Sequence, residues 1–247
     1  MVNYGRSEVN FLAEKVKKSR IWELDSFRGL CILGMVAVHT VWDLDFMLTD
    51  FRPPLIYDIA ITYGALLFII LSGVCVTLGS RSIKRGLIVL GCGLLVSLGF
   101  ELGNRMGLGN LLPVYFGILH LLGACMLLYP IFKKLPFWLL FALGLGIILT
   151  GKLVIDGIHT DFAPLLVLGF DTDVSGMSDY FPLFPNLGWF LIGAGLGKLL
   201  YKEKKSLFPN FPQGNAVCRF LSFCGRHSLI IYVVHQPIIY GILYLIV

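Results

Sequence analysis

Charged residues are scarce in this chain. They make up 14% of its 247 residues, whereas 57% are hydrophobic. A soluble globular domain usually carries about 25% charged residues, so this composition excludes an ordinary soluble globule. The mean hydropathy of +0.82 instead indicates a chain that lies in a lipid bilayer. We therefore predict an all-α fold, a polytopic bundle of transmembrane helices.

The chain also lacks a disulfide framework and a metal-binding motif. Its six cysteines fall inside apolar runs or beside a basic segment that is predicted below to be cytoplasmic, where disulfides are rare. No spacing of cysteine and histidine is typical of a zinc site. We predict no metal and no permanently bound cofactor.

Long apolar runs recur along the sequence. A bilayer core of about 30 Å needs about 20 apolar residues per helix. We predict about seven spans, at roughly 27–47, 57–79, 83–102, 112–132, 136–155, 183–200 and 228–247. Residues 27–247 are thus predicted to be one transmembrane domain. The basic segment 1–26 before it is either a short interfacial helix or a solvated tail.

The basic residues are distributed unevenly between the predicted loops. Of the 20 lysines and arginines, all but Arg52, Arg105 and Lys152 fall on one side when alternate loops are assigned to the same side. The positive-inside rule places that side in the cytoplasm, with the N-terminus in and the C-terminus out. The basic inner segment 201–227 is predicted to be a linker on an anionic leaflet. This pattern, rather than the net charge of +5, predicts the lipid bilayer as a partner and no nucleic acid.

The first span carries ionisable side chains, which are expensive in a bilayer and are therefore functional candidates. His39 follows Arg28 by eleven residues, close to three helical turns, and Asp43 follows His39 by four. All three share one helical face. We predict that the Asp43 carboxylate binds one imidazole nitrogen of His39 and leaves the other as a base. The alternative is that Arg28 and Asp25 anchor the helix end and His39 bonds a neighbouring helix.

Two further histidines fall in predicted spans. His120, within VYFGILHLLG, is a second candidate for catalysis. His235 and Gln236 precede Pro237, and a proline frees a backbone carbonyl about one turn earlier. We therefore predict a kink or packing role for His235.

Several blocks of the sequence resemble one family. The opening RIWELDSFRGLCILGMVAVHTVWDL resembles the first span of the heparan-alpha-glucosaminide N-acetyltransferase catalytic family in its short bacterial form. Later blocks of that family are similar to FIILSGVCVTLGSR at 68–81, FGILHLLG at 116–123, DYFPLFPNLGWFLIGAGLGK at 179–198 and GRHSLIIYVVHQP at 225–237. The spacing of Arg28 and His39 also resembles a motif of the related membrane acyltransferase-3 superfamily.

The resemblance implies a multi-pass acyltransferase-like domain over 27–247, in the cytoplasmic membrane of a bacterium. Such relatives move an acyl group, usually from cytoplasmic acyl-CoA, to a sugar on the far side. The phosphates of acetyl-CoA or another acyl-CoA would need inner cations. The available cations are Arg28, Arg81, Lys84, Arg85 and Arg226. His39 would deprotonate the acceptor or would itself be acylated.

The outer loop 156–182 is the predicted acceptor site. A glycan or lipid-linked sugar would be held there by Asp171, Asp173, Asp179 and Tyr180. The alternative is that this loop merely caps the bundle.

Two other classes of function compete with the enzyme. In a proton-coupled transporter or channel, Arg28, His39, Asp43 and His120 would form a proton relay. A non-catalytic membrane scaffold is the third class. The sequence leaves the acyl group, the acceptor and a possible homo-oligomer open.

Overall fold

The computed structural model describes residues 20–47, 56–107, 112–172 and 176–246. Residues 1–19, which make up most of the predicted N-terminal segment, and Asp173 lie outside the described residues. Within the described ranges the chain is helical, and its one β pairing is an isolated bridge between His159 and Asp171.

Eight α-helices are present in the described chain. They are α1 (Trp22–Met47), α2 (Ile56–Leu78), α3 (Ser82–Arg105), α4 (Ile118–Phe132), α5 (Phe137–Thr150), α6 (Leu183–Leu200), α7 (Ala216–Arg226) and α8 (Ser228–Ile246). A π-helical turn at Gly151–Ile155 extends α5, and a 3-10 helix at Ala163–Leu168 lies in the loop before α6.

The helices that can cross a bilayer are fewer than the sequence predicted. Five stretches of the described chain are long and apolar enough: Trp22–Asp45, Ile56–Leu78, Ser82–Arg105, Phe137–Ile155 and Leu183–Leu200. A sixth arises if α7 and α8 form one span, but they meet at 83°. The remaining predicted span, 112–132, is shortened to the 15 residues of α4, which begins after Pro113 and Gly117.

Glycines allow the helices to pack closely around an apolar core. A Cβ atom at Gly73 of α2 would lie 2.0 Å from the Phe190 carbonyl oxygen of α6, so only a glycine permits this approach. Between these helices and α4 lie fully buried side chains such as Ile69, Leu121 and Leu191.

The bundle has two chemically different ends. Successive helices from α1 to α6 run in alternate directions. For example, Gly86 of α3 approaches Leu127 of α4 whereas the later Gly93 approaches the earlier His120. The basic end is the one that carries Arg28, Arg85 and Lys198. At this end the Lys198 Nζ donates a hydrogen bond to the Lys133 carbonyl at 2.7 Å. The opposite end, called the loop end, carries the loop between α5 and α6.

The predicted linker over 201–227 needs a correction. Its last part forms helix α7, whose first turn is capped by the Asn215 side chain accepting from the Val217 N–H at 2.8 Å. Asparagine is among the preferred residues at this capping position.

Candidate active site

Two histidine side chains meet inside the bundle between α1 and α8. The rings of His39 and His235 lie edge to face, with centroids 5.0 Å apart and an interplanar angle of 75°. His235 is buried, and its Nδ1 contacts the Tyr232 carbonyl one turn earlier. Its Nε2 is buried without a hydrogen-bond partner. The contact with its own helix is consistent with the predicted kink or packing role, which stays a prediction.

Asp43 faces α8 rather than His39. Both oxygens of its buried carboxylate accept from the Gln236 Nε2, at 2.9 and 3.1 Å. The predicted hydrogen bond between His39 and Asp43 is not among the contacts of the described residues. The spacing of four residues does place both side chains on one side of α1, but the donor that contacts the carboxylate comes from α8. The phenols of Tyr57 and Tyr240 lie within electrostatic reach of the same group.

Asp179 connects the loop end of the bundle to α8. Its Oδ2 accepts from the Tyr232 hydroxyl at 3.0 Å and from the Ile118 N–H at 3.1 Å, so it also caps the start of α4. Burial raises the pKa of the Asp179 carboxyl, and these two hydrogen bonds partly oppose that rise. Asp179 was predicted to bind an acceptor in the outer loop. The structure instead turns its carboxylate into the bundle.

His120 lies across a narrow crevice from Tyr232. The crevice is lined by both residues, by Asp179 and by Gly93, among others. The His120 Nδ1 accepts from the Gly117 N–H at 3.2 Å, so in the neutral ring the proton is on Nε2. That Nε2 is buried without a partner. It is therefore a donor left unpaired among the described residues, on the wall of a crevice that is too narrow in this structure to hold a water molecule.

These side chains lie next to one another in a row, which ring contacts and one hydrogen bond between Tyr232 and Asp179 hold together. We call this row the polar chain. The polar chain consists of His39, His235, Tyr232, Asp179 and His120, taken in spatial order. The centroids of the Tyr232 and His235 rings are 5.4 Å apart. The histidine pair therefore lies next to the hydrogen bond between Tyr232 and Asp179. Ionisable groups inside a membrane protein are costly, so these residues are candidates for a functional site. Sequence reasoning missed Tyr232, because a tyrosine in an apolar run carries no signal of its own.

A second group of polar residues lies at the basic end. The Arg28 guanidinium is 3.6 Å from the Asp25 carboxylate, as the sequence predicted. Arg28 and Arg85 both lie within electrostatic reach of the Cys75 thiol on α2. The Arg85 guanidinium lies against Gly79, and its buried Nη2 has no partner.

The other predicted cations are more accessible. Arg81, Lys84 and Arg226 are exposed. Of the five predicted donor-binding cations, the structure therefore brings Arg28 and Arg85 together around Cys75.

A cavity of about 370 Å³ opens in the loop between α5 and α6. Its walls include Asp156, Asp171, Thr172 and Tyr180. The buried Thr172 hydroxyl has no partner within the part of the chain that the structure describes, whereas the Tyr180 hydroxyl donates to the Leu166 carbonyl at 2.7 Å. The structure thus gathers Asp171 and Tyr180 on one cavity and separates them from Asp179.

The sequence model of the family described as heparan-alpha-glucosaminide N-acetyltransferase, catalytic, matches residues 20–237. The match covers most of the chain, so the chain belongs to this family. The family resemblance predicted from the sequence is confirmed. No curated protein and no solved structure matches the chain. The polar chain and both basic-end arginines fall within the matched residues.

Proposed function

We propose that this member of the heparan-alpha-glucosaminide N-acetyltransferase catalytic family is a multi-pass membrane acetyltransferase. It takes an acetyl group from acyl-CoA at the basic end and passes it to a sugar, glycan or lipid-linked sugar at the loop end. The observation that carries this proposal is the polar chain, which links α1, α8 and α4 through an otherwise apolar bundle.

The donor would bind at the basic end. Its phosphates need charge-assisted hydrogen bonds, and the buried Nη2 of Arg85 is a donor without an acceptor among the described residues. Arg28 stands beside it near Cys75. His39 lies eleven residues beyond Arg28 on the same helix, or about 16 Å along its axis. The arm of a bound coenzyme A would span this distance and present its thioester to the histidine pair.

The histidine pair supplies the acid–base chemistry. A ring nitrogen of His39 accepts the proton of the acceptor hydroxyl or amine as that group attacks the thioester carbonyl carbon. The carbon–sulfur bond breaks, and the coenzyme leaves as a thiolate that is then protonated. His235, in contact with His39, is placed to pass that proton on. Asp43 acts indirectly. It binds Gln236 and so positions the turn of α8 that carries His235.

The acceptor would enter from the loop end. The cavity lined by Asp171 and Tyr180 offers carboxylate and aromatic groups, which suit the hydroxyls and faces of a sugar. The free Thr172 hydroxyl adds a hydrogen-bonding group. Asp179 lines the crevice at His120 and its neighbour Tyr180 lines this cavity, so the acceptor would have to pass this segment to reach the reacting atoms.

The direct test is transfer of label from radioactive acetyl-CoA by the purified protein, with membrane glycans as acceptors. General-base catalysis contributes about 10²–10⁴-fold, so His39→Ala should lower the rate at least about 100-fold. His227→Ala is the matched control, because this histidine is exposed at the junction of α7 and α8. A His39→Ala protein that transfers at the wild-type rate would overturn the assignment of His39. Proton flux in liposomes without any acetylated product would favour the transporter.

A further inference from the structure

Helix α7 divides its residues between three faces. One face packs on α1, where the Ser222 and Ser26 hydroxyls are 2.7 Å apart. A Cβ atom at Gly225 would lie 1.7 Å from the Asp25 carbonyl oxygen, so the two backbones are in direct contact. This face fixes α7 on the first turns of α1, at the basic end.

The face of α7 that points away from α1 is apolar and largely exposed, and its one ring contact in the described chain is that of Phe223 with His227, at a centroid distance of 4.4 Å. Val217, Phe220 and Phe223 are 62%, 57% and 52% exposed. Their spacing of three residues makes a stripe along one side of a helix. Large apolar side chains this exposed need a non-aqueous neighbour.

The third face of α7 is cationic. Arg219 and Arg226 are exposed and seven residues apart, so they lie along one edge of the helix. Helix α7 contains no acidic residue, and neither arginine has a carboxylate partner in the described part of the chain. Nearby acids are engaged elsewhere: Glu23 accepts from Ser206 and from the Leu207 N–H.

The direction of α7 fits the plane of a membrane surface. Helix α8 runs beside α1, since His235 meets His39 and Gln236 meets Asp43. Helix α7 leaves α8 at 83°, so it turns away from the direction of α8 at the end of the bundle where α1 begins. An amphipathic helix in that position buries its apolar stripe at the headgroup boundary and presents its arginines to lipid phosphates.

We infer that α7 is a binding site for anionic phospholipid in the leaflet at the basic end, with Val217, Phe220 and Phe223 among the acyl chains and Arg219 and Arg226 on the headgroups. The site is independent of the acyl-transfer chemistry. Each basic residue near an anionic leaflet favours binding about fivefold. Two arginines therefore give a preference of roughly 25-fold over a zwitterionic lipid.

The experiment measures binding of fluorescent phosphatidylglycerol and phosphatidylcholine to the purified full chain in detergent. The wild type should prefer phosphatidylglycerol, Arg219→Gln should reduce the preference about fivefold, and the Arg219→Gln/Arg226→Gln variant should nearly abolish it. Lys134→Gln is the matched control, because it removes an exposed cation at the same end of the bundle. An equal loss in the control, or a preference that survives in the double variant, would overturn the proposal.

Two further measurements keep the test decisive if the double variant does not purify as a single species. The wild-type preference should fall as sodium chloride is raised, since surface charges are screened within about 10 Å at 0.1 M salt. A preference that is insensitive to salt contradicts the proposal. Added coenzyme A should leave phosphatidylglycerol bound, whereas one-for-one displacement would assign these arginines to the donor site instead.

Discussion

Asp43 and His39 are one turn apart on α1, yet the Asp43 carboxylate is bound by Gln236 from α8. A charged acceptor in an apolar bundle is stabilised most by a donor that reaches both of its oxygens. The imidazole of His39 is left to contact His235. His39 and Asp43, which were predicted to pair with each other, therefore pair with His235 and Gln236 instead. Each of these two contacts can be tested separately.

The Asp43–Gln236 contact should appear as an energetic coupling. A hydrogen bond to a charged group contributes about 1.5–3 kcal/mol. In a double-mutant cycle on unfolding in mixed micelles, Asp43→Ala and Gln236→Ala should show a coupling of roughly 0.5–3 kcal/mol. Asp43→Ala and His39→Ala should show a smaller coupling, because these two side chains share no direct hydrogen bond and interact only through α8. The reverse result would mean that His39 is the true partner of Asp43.

The buried Asp179 carboxyl should make stability depend on pH. Its pKa is raised by burial, so the folded protein holds this proton more tightly than the unfolded chain does. The resulting stabilisation is fully present below the ordinary carboxyl pKa of about 3.9 and is lost as pH rises through the raised pKa. The Asp179→Asn variant lacks this titration. Its melting temperature relative to wild type should therefore increase between pH 4 and pH 7.

Tyr232→Phe provides the companion measurement to Asp179→Asn. It removes one of the two hydrogen bonds that lower the Asp179 pKa, so this pKa should rise further. The variant should therefore lose more stability between pH 4 and pH 7 than the wild type does. A melting-temperature difference between Asp179→Asn and wild type that does not change with pH would show that the carboxyl is not desolvated.

At the scale of whole helices, α1 and α7 are held together by backbone contact rather than by large side chains. A Cβ atom at Gly29 would lie 2.0 Å from the Leu221 carbonyl oxygen, whereas at Gly34, on the same helix, it would meet nothing within 4 Å. The crossing places Asp25 and Arg28 directly beside α7. The position of the donor-side arginine thus depends on this contact.

These two glycines of α1 give a matched prediction. Gly29→Ala forces α7 away from α1, and overpacking of this kind costs about 1–3 kcal/mol. Gly34→Ala meets open space and should stabilise α1 by about 1 kcal/mol, because alanine favours a helix over glycine. Thermal unfolding of the two variants in detergent should move in opposite directions. A Gly29→Ala protein as stable as wild type would show that the α1–α7 contact is dispensable.

The helices could be predicted from the sequence, because bilayer thickness fixes the length of an apolar run. The bounds of α2, α3, α6 and α8 differ from the predicted spans by three residues or fewer. The start of helix α4 was predicted six residues too early, because residues 112–117 are mostly apolar although they are not helical. Helix α7 was missed because its packing face consists of small residues, which carry little hydrophobic signal.

The candidate site could be predicted only in part, because its partners come from different helices. His39, Asp43 and His120 stand out as polar residues in apolar runs. Nothing local in the sequence shows that Gln236 would reach Asp43, or that Asp179 would turn inward to Tyr232. Such pairings depend on how the helices pack, which a helical period does not specify.

At the scale of the whole molecule, the two ends of the bundle differ in charge and in what they can bind. The basic end carries Arg28, Arg85 and the arginines of α7, and the loop end carries the acid-rich cavity. The proposed donor and acceptor sites are thus at opposite ends, and the polar chain lies between them. A membrane enzyme that takes its donor on one side and its acceptor on the other needs this arrangement.

Reporter fusions test the orientation of that arrangement. The Lys198 Nζ donates to the carbonyl of Lys133, so the turn after α4 and the end of α6 lie at the same face. Reporters fused after Lys134 and after Lys205 must therefore score alike, whichever way the bundle is inserted. The positive-inside rule further predicts that both are cytoplasmic and that a fusion near Asp173 is external. Different scores for the first two would contradict the packing of α4 on α6. External scores for both, with an internal one near Asp173, would keep the packing but invert the bundle, and the basic end could then not receive a cytoplasmic acyl-CoA.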